Sequence, residues 1–251
     1  MNIKIGFAGN HKIGMESLKI LLSYNIKPRV LLLPKKGDYN EEMKSLLPDI
    51  PCIIGKSFRE KKNIELLASL ELDYILSVHF PYLFTKEIIK LPKIGVLNLH
   101  PAYLPFNRGW HTPSWAIYES TPFGATLHWV DEGIDSGDLA LQKLIPVSWS
   151  DTAHTLYQKV LQCEIELLKE AIPYIINKNL PRIPQPHEGT FHLKKDLETI
   201  RRIDLNLEYS GEKIIRLLRA LTTNNWNEAA FFEVDGKKFL IHIEIRENNK
   251  E

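Results

Sequence analysis

Residues 95–117 read GVLNLHPAYLPFNRGWHTPSWAI, and residues 124–138 read GATLHWVDEGIDSGD. The apolar run Ile94-Gly95-Val96-Leu97 leads into Asn98-Leu99-His100 and has the character of a buried strand. Successive side chains of a strand face opposite sides, so Asn98 and His100 share one face and Leu99 takes the other. Pro101 cannot continue a central ladder, so the strand ends there. The polar pair therefore stands at a strand's carboxyl end, where open α/β sheets bind ligands. A second strand, 124–130, leads into a turn-rich loop carrying Asp131, Glu132, Asp135 and Asp138. If those two strand ends lie side by side, an amide, an imidazole and a carboxylate converge in one crevice.

Such a set suits acyl transfer to an amine. His100 is placed to take a proton from an attacking nitrogen. Asp135 would orient that imidazole, and the Asn98 amide would donate to the oxyanion of a tetrahedral species. No Ser or Cys is set in a nucleophile elbow, so direct attack by a substrate amine is the simpler chemistry. The competing reading is a structural histidine that is merely hydrogen-bonded in the core. The Asn-x-His pair before a proline, followed one supersecondary unit later by an Asp-rich loop, favours the chemical reading.

Asn98-Leu99-His100-Pro101, Leu104-Pro105, Asn107-Arg108-Gly109 and Ile134-Asp135-Ser136-Gly137-Asp138 occur in that order. Together they resemble the signature of the folate-dependent formyltransferases: N-x-H-x-S-x-L-P, then a (L/I)-D-x-G-D loop. That family includes enzymes acting on methionyl-tRNA, on glycinamide ribonucleotide and on nucleotide sugars. The resemblance covers roughly the first 180 residues and implies a catalytic trio of Asn98, His100 and Asp135. Ala102 departs from the pattern where many members carry Ser, so any contact made by that hydroxyl is lost here. The resemblance also implies N10-formyltetrahydrofolate as co-substrate. Its pterin would lie along the turn His79-Phe80-Pro81-Tyr82-Leu83 and the loop before Asp135, which includes Asp131, held largely by backbone groups. For His79 itself a structural role is an equal alternative.

Composition bounds the rest. The chain has 251 residues, 44% hydrophobic and 25% charged, with a net charge of +1. That near-neutral balance argues against a partner bound mainly through phosphates, and so against nucleic acid. Two cysteines, Cys52 and Cys163, lie far apart without metal-type spacing and point to a reducing interior. His100, His111 and His128 lack the spacing of a zinc site, so no metal is expected. No apolar run reaches the length of a membrane span, and the opening MNIKIGFAG is broken too soon by glycine to serve as a signal peptide. The expected location is the cytoplasm.

Along the chain, Asn2–Gly9, Arg29–Pro34, Cys52–Gly55 and Tyr74–Val78 read as buried strands. Asn10-His11-Lys12 reads as a loop before a helix bearing Leu18, Leu21 and Leu22, and such a loop either receives an anion or simply turns the chain. Lys35 and Lys36 read as a solvated turn. Helices are expected over Asn63–Leu70 and over Leu83–Leu91, the latter capped by Thr85. Another should start near Thr112-Pro113. Asn10, Arg108 and Trp110 are the candidate substrate contacts. Arg108 has loop bracing as its alternative, and Trp110 and Trp115 have a core or rim role. Residues 138–147 read as a strand. A long helix capped at Ser150-Asp151-Thr152 then carries Leu156, Val160, Cys163, Leu167 and Ile172 as a core stripe.

Pro181, Pro184 and Pro186 suggest a boundary between a catalytic domain, 1–180, and a linker with a small C-terminal domain, 181–251. That tail should hold a helix over Ser210–Leu221 and a hairpin turning at Asp235-Gly236. Residues 189–251 carry eleven basic and eleven acidic side chains, a poor match to a tRNA-binding appendage. The expected fold is α/β, with a Rossmann-like, mostly parallel sheet and a helix-plus-hairpin appendage. An apolar hairpin with Phe231, Phe232, Phe239 and Ile241 invites a homodimer.

The resemblance is strongest to bacterial nucleotide-sugar N-formyltransferases. It implies formylation of an amino-dideoxy sugar, such as dTDP-4-amino-4,6-dideoxyglucose or its 3-amino isomer, for surface polysaccharide. Methionyl-tRNA or glycinamide ribonucleotide as acceptor, and a non-catalytic nucleotide-binding module, are the alternatives.

Overall fold

A computed structural model describes residues 3–186 and 188–248. Asn2, the expected first residue of the opening strand, lies outside them. The first elements alternate strand and helix: β1 (Ile5–Gly9), α1 (His11–Ser23), β2 (Val30–Leu33), α2 (Asn40–Leu46), β3 (Cys52–Ile54), α3 (Lys61–Ser69), β4 (Tyr74–Val78), α4 (Lys86–Ile89) and β5 (Gly95–His100). Then follow β6 (Arg108–Gly109), α5 (Thr112–Glu119), β7 (Phe123–Trp129), β8 (Leu139–Ile145) and α6 (Ala153–Asn177). The chain continues with β9 (Phe191–His192), α7 (Gly211–Ala220), β10 (Ala230–Val234) and β11 (Lys237–Ile241).

Seven strands form one sheet in the order β3-β2-β1-β4-β5-β7-β8. From β3 to β5 every pairing is parallel, whereas β7 runs antiparallel to β5. Every residue of β1, β2 and β4 is buried, the pattern of parallel strands covered on both faces by helices. The sheet is therefore the mostly parallel α/β architecture expected from the sequence, and the order reverses at β1, where β2 lies to one side and β4 to the other.

Contacts divide the chain into two compact units interleaved in sequence. The first comprises Met1–His100, Thr126–Gln142 and Glu164–Gln185; the second, Pro101–Ala125, Lys143–Cys163 and Pro186–Glu251. One core of the first unit gathers Ala8, Val30, Leu32, Phe58, Ile75 and Val96 around the sheet. The proline-rich stretch 181–185 is tied to this unit. Pro181 O accepts from the Trp129 indole at 2.7 Å, and Ile183 bridges Leu139.

In the second unit α5 packs on α7 over Trp115, Leu197, Leu217 and Leu221. Ser210 caps α7 by accepting from Lys213 N at 3.2 Å. The hairpin forms as expected: Val234 pairs with Lys237, and Asp235 and Gly236 both take positive φ, 50° and 70°. Two like-handed central residues make a turn whose twist matches the strands. Phe231, Phe232 and Ile241 turn out half-buried, with Phe232 and Ile241 against the unit's core, while Phe239 and Leu240 stay exposed.

Several element ends differ from expectation. α1 begins at His11, so His11 and Lys12 belong to the helix rather than to a loop. α4 is a single turn that excludes Leu83 and Phe84, and Thr85 makes no side-chain cap. His111, in the left-handed region, precedes α5, and the Thr112 hydroxyl donates to Pro101 O at 2.6 Å. α2 had no counterpart in the sequence reading, because its seven residues are too few for a helical period to show.

Candidate active site

Register determines which side chains meet at the end of β5. Asn98 lies opposite Ser77 of β4 and His128 of β7, and His100 lies opposite Thr126. Directly opposed residues share a face, so Asn98, His100, Thr126 and His128 form one polar patch on an otherwise apolar sheet. The His128 ring is bonded through Nδ1 to Trp129 O at 2.9 Å. A carbonyl only accepts, so Nδ1 carries the proton and Nε2 of the neutral ring is an acceptor. Asn98 Nδ2 sits 3.1 Å from that Nε2 and donates to it. The Asn98 amide is thereby held in one orientation, with its nitrogen toward the centre of the patch.

Asp135 completes the cluster. Its Oδ1 accepts from Asn98 Nδ2 at 3.4 Å and lies 3.5 Å from His128 Nε2; its Oδ2 lies 3.7 Å from His100 Nε2. The last distance is an electrostatic contact rather than a hydrogen bond, and bonds of this kind tighten when substrate arrives. The side chains of His100 and His128 keep 8% and 2% of their exposure and Asp135 16%, so charge here acts in a poorly solvated setting. The amide, imidazole and carboxylate expected to converge do meet, though by a different route. Because β7 is antiparallel, its last residue pairs with Leu97, and the loop after it folds back to deliver Asp135.

That loop is held at many points. Val130 N donates to Val96 O at 2.8 Å and Trp129 N to Asp138 O at 2.8 Å, closing both ends. Asp131 Oδ1 accepts from Gly133 N at 3.0 Å and from the Ser136 hydroxyl at 2.8 Å. The Gln185 amide donates to the carbonyls of Asp135 and Gly137 at 2.9 and 2.6 Å. Asp135 itself takes φ +50°, and a Cβ at Gly137 would run into the Trp129 carbonyl. Asp131, named as a candidate cofactor contact, has loop bracing as its visible work.

The other candidates fall in three places. The turn after β4 carries His79, whose Nε2 is 2.9 and 3.0 Å from the two carboxylate oxygens of Glu164. Phe80 and Tyr82 pack with Phe58 and Phe84, at ring distances of 5.2 to 6.2 Å. The Leu83 side chain is exposed, while its carbonyl accepts from Arg59 at 2.6 Å. Asn10 is buried at the start of α1; its backbone N–H donates to Val78 O at 3.1 Å. Its side-chain Oδ1 is buried with no hydrogen-bond partner among the described residues, which suits a group awaiting a ligand.

Arg108 and Trp110 belong to the second unit. Arg108 lies in β6, whose partner is β9, and its backbone N–H donates to Thr190 O at 3.0 Å. Trp110 is exposed beneath the Lys194 ammonium, 5.1 Å from the ring centre. Trp115, by contrast, is a core residue stacked on His192 at 3.7 Å. No group of three His, Cys, Asp or Glu among the described residues is arranged to hold a metal.

Three residues escaped the sequence reading. His128 was visible in principle: in GATLHWV, Thr126 and His128 alternate with apolar neighbours and so share a face. Glu164 and Gln185 carried no such signal, since their partners are 85 and 50 residues away in sequence.

Known proteins resemble this chain. The Formyl transferase family covers residues 32–172, and an N-formyltransferase dimerization C-terminal domain covers residues 196–247. The methionyl-tRNA formyltransferase of Thermodesulfovibrio yellowstonii is 31% identical over 263 aligned residues, 99% of this chain and 82% of the relative. The dTDP-4-amino-4,6-dideoxyglucose formyltransferase of Mycobacterium tuberculosis (strain ATCC 25618 / H37Rv) is 29% identical over 171 residues, 68% of this chain and 72% of the relative. An N-formyltransferase from Helicobacter canadensis, crystallised with folinic acid and dTDP-3-aminofucose, superposes with a TM-score of 0.73 at 21% identity, covering 93% of this chain and 85% of its own. With its sheet, its Asn-His-Asp cluster and both matched regions in place, the chain belongs to the formyl transferase family.

Proposed function

We propose that this protein is an N-formyltransferase acting on the amine of a nucleotide-linked amino-dideoxy sugar, such as dTDP-4-amino-4,6-dideoxyglucose or its 3-amino isomer. The formyl donor is N10-formyltetrahydrofolate, and the product serves surface-polysaccharide synthesis in the cytoplasm. The observation that carries the chemistry is the Asn98–His100–Asp135 cluster at the carboxyl end of β5. The acceptor is supported by the aminosugar-nucleotide relatives and by the electrically neutral C-terminal segment. The work is divided between a catalytic domain over 1–180 and a small domain over 181–251, through which two copies pair.

The reaction needs an uncharged amine, an oxyanion donor and a proton acceptor. His100, facing Asp135, takes a proton from the nitrogen as its lone pair bonds to the formyl carbon. Asn98 gives up its long 3.4 Å bond to Asp135 and turns that Nδ2–H toward the oxygen that becomes negative; the bond to His128 keeps the amide in the donating orientation. When the tetrahedral species collapses, the bond from the formyl carbon to the donor's N10 breaks, and the imidazolium of His100 returns its proton to the departing nitrogen. Asp135 stabilises that imidazolium meanwhile. Holding both substrates in one crevice contributes on the order of 7 kcal/mol when the approach is well oriented. The Phe80–Leu83 turn offers an apolar wall and backbone carbonyls that accept hydrogen bonds, a combination that fits a flat pterin.

The test is a formyl-transfer assay with N10-formyltetrahydrofolate against a panel of nucleotide-linked 3- and 4-amino sugars. Turnover of one panel member, abolished in His100→Ala, is the expected result. A second reading, methionyl-tRNA as acceptor, is favoured by the 31% identity over nearly the whole chain. Salt-dependent tRNA binding with silence across the sugar panel would establish it instead. Turnover of glycinamide ribonucleotide alone would assign the purine-type acceptor, and folate binding without any transfer would leave a binding module.

A further inference from the structure

Glu164 is fully buried, on the helix α6 whose remaining inward residues are apolar. Among buried apolar neighbours such as Cys163, Leu167 and Leu168, an unpaired carboxylate would be costly. The carboxylate instead holds His79, with both oxygens near Nε2 at 2.9 and 3.0 Å. Burial pushes the Glu164 carboxyl above its ordinary range, and His79 pulls it back by charge and by hydrogen bond.

His79 is the first residue after β4 and takes φ +51°. A residue with a Cβ pays on the order of 1 kcal/mol in that left-handed region and stays there only where its surroundings hold it. Glu164 is a buried group that holds it there. The register puts this turn at the reacting end of the sheet: Val78 lies opposite Leu99 on one side and Gly9 on the other. His11, at the start of α1, is held below the usual imidazole range by burial first and by the like charge of His79 second. None of the chemical steps above uses Glu164.

We propose that Glu164 is a positioning residue: acting through His79, it fixes the turn 79–83 in the shape that receives the formyl donor. This rests on the folate reading above. A carboxylate that merely braced α6 would affect stability alone; one that shapes the turn affects donor binding selectively.

The experiment compares the full-length wild type, Glu164→Gln and Glu164→Leu. Tetrahydrofolate binding is measured by calorimetry, and KM for formyl donor and for sugar acceptor by steady-state kinetics. Glu164→Gln keeps an acceptor for the Nε2–H and stays within about threefold of wild type in every constant. Glu164→Leu raises the donor KM at least about tenfold and leaves the acceptor KM within about threefold. An unchanged donor KM, or an equal rise in both, overturns the proposal. Should Glu164→Leu lack a cooperative thermal transition, Glu164→Met carries the same test with the same two outcomes. Wild-type protein that binds no tetrahydrofolate rejects the folate reading itself. Wild-type binding matched by undiminished binding in Glu164→Leu rejects only the positioning role.

Discussion

Asp135 presents one carboxylate to two imidazoles, and the two rings do different work. His128 has given its Nδ1–H to the Trp129 carbonyl and its Nε2 lone pair to Asn98. His100 faces the other carboxylate oxygen at 3.7 Å and is the ring placed to exchange a proton with substrate. Replacing His100 or Asp135 by Ala should lower kcat at least about a hundredfold, the size of a lost general base. A folded His100→Ala enzyme with full turnover would remove that assignment. His128→Ala should act chiefly through Asn98, whose amide it orients. It should lower kcat roughly tenfold or more with both KM values nearly unchanged, the sign of a contact that matters in the transition state. A rise in acceptor KM with kcat intact would make His128 a substrate contact instead.

At the scale of elements, one carboxylate ties three segments together. Asp73, just before β4, accepts from Lys4 N at 2.9 Å and from the Lys178 ammonium, beyond α6, at 2.7 Å. Burial raises its carboxyl, but the bonds to Lys178 and to the Lys4 backbone outweigh this and hold it below the ordinary aspartate range. A carboxyl depressed in the folded state stabilises above its unfolded pKa, and that contribution is lost as pH falls through the folded value. Lys178 is partly solvated, so most of the effect rests on the backbone bond, and Asp73→Ala should cost roughly 1–2 kcal/mol at pH 7. Denaturant titrations should show that gap closing as the pH drops below about 4. A gap that stays constant down to pH 2 would show that Asp73 does not titrate as described.

At the scale of the molecule, the hairpin leaves Val234, Phe239 and Leu240 exposed on a sheet of two strands. An unpaired edge next to exposed apolar side chains is an association surface unless covered. The match to a dimerization domain over 196–247 names the same segment. Light scattering should therefore report a dimer, and Leu240→Asp should shift it to monomer while leaving α7 folded. A wild type that scatters as a monomer at micromolar concentration would reject pairing through this hairpin.

What the sequence determined by itself was local or motif-borne. The buried strands, the Pro101 stop, the face shared by Asn98 and His100, and the Asp235-Gly236 turn all follow from residues within a few positions of each other. A strand's period of two and a glycine's freedom at positive φ act over that range, so they can be read without the fold. Only the tertiary structure decided the rest. It reversed β7, so that Asp135 arrives by a loop folding back, and it set His128 opposite Asn98. It brought Glu164 to His79 and Gln185 to the Asp135 loop across long stretches of chain. Such pairings depend on register and on which face of a helix meets the sheet, and neither is written in the neighbouring residues.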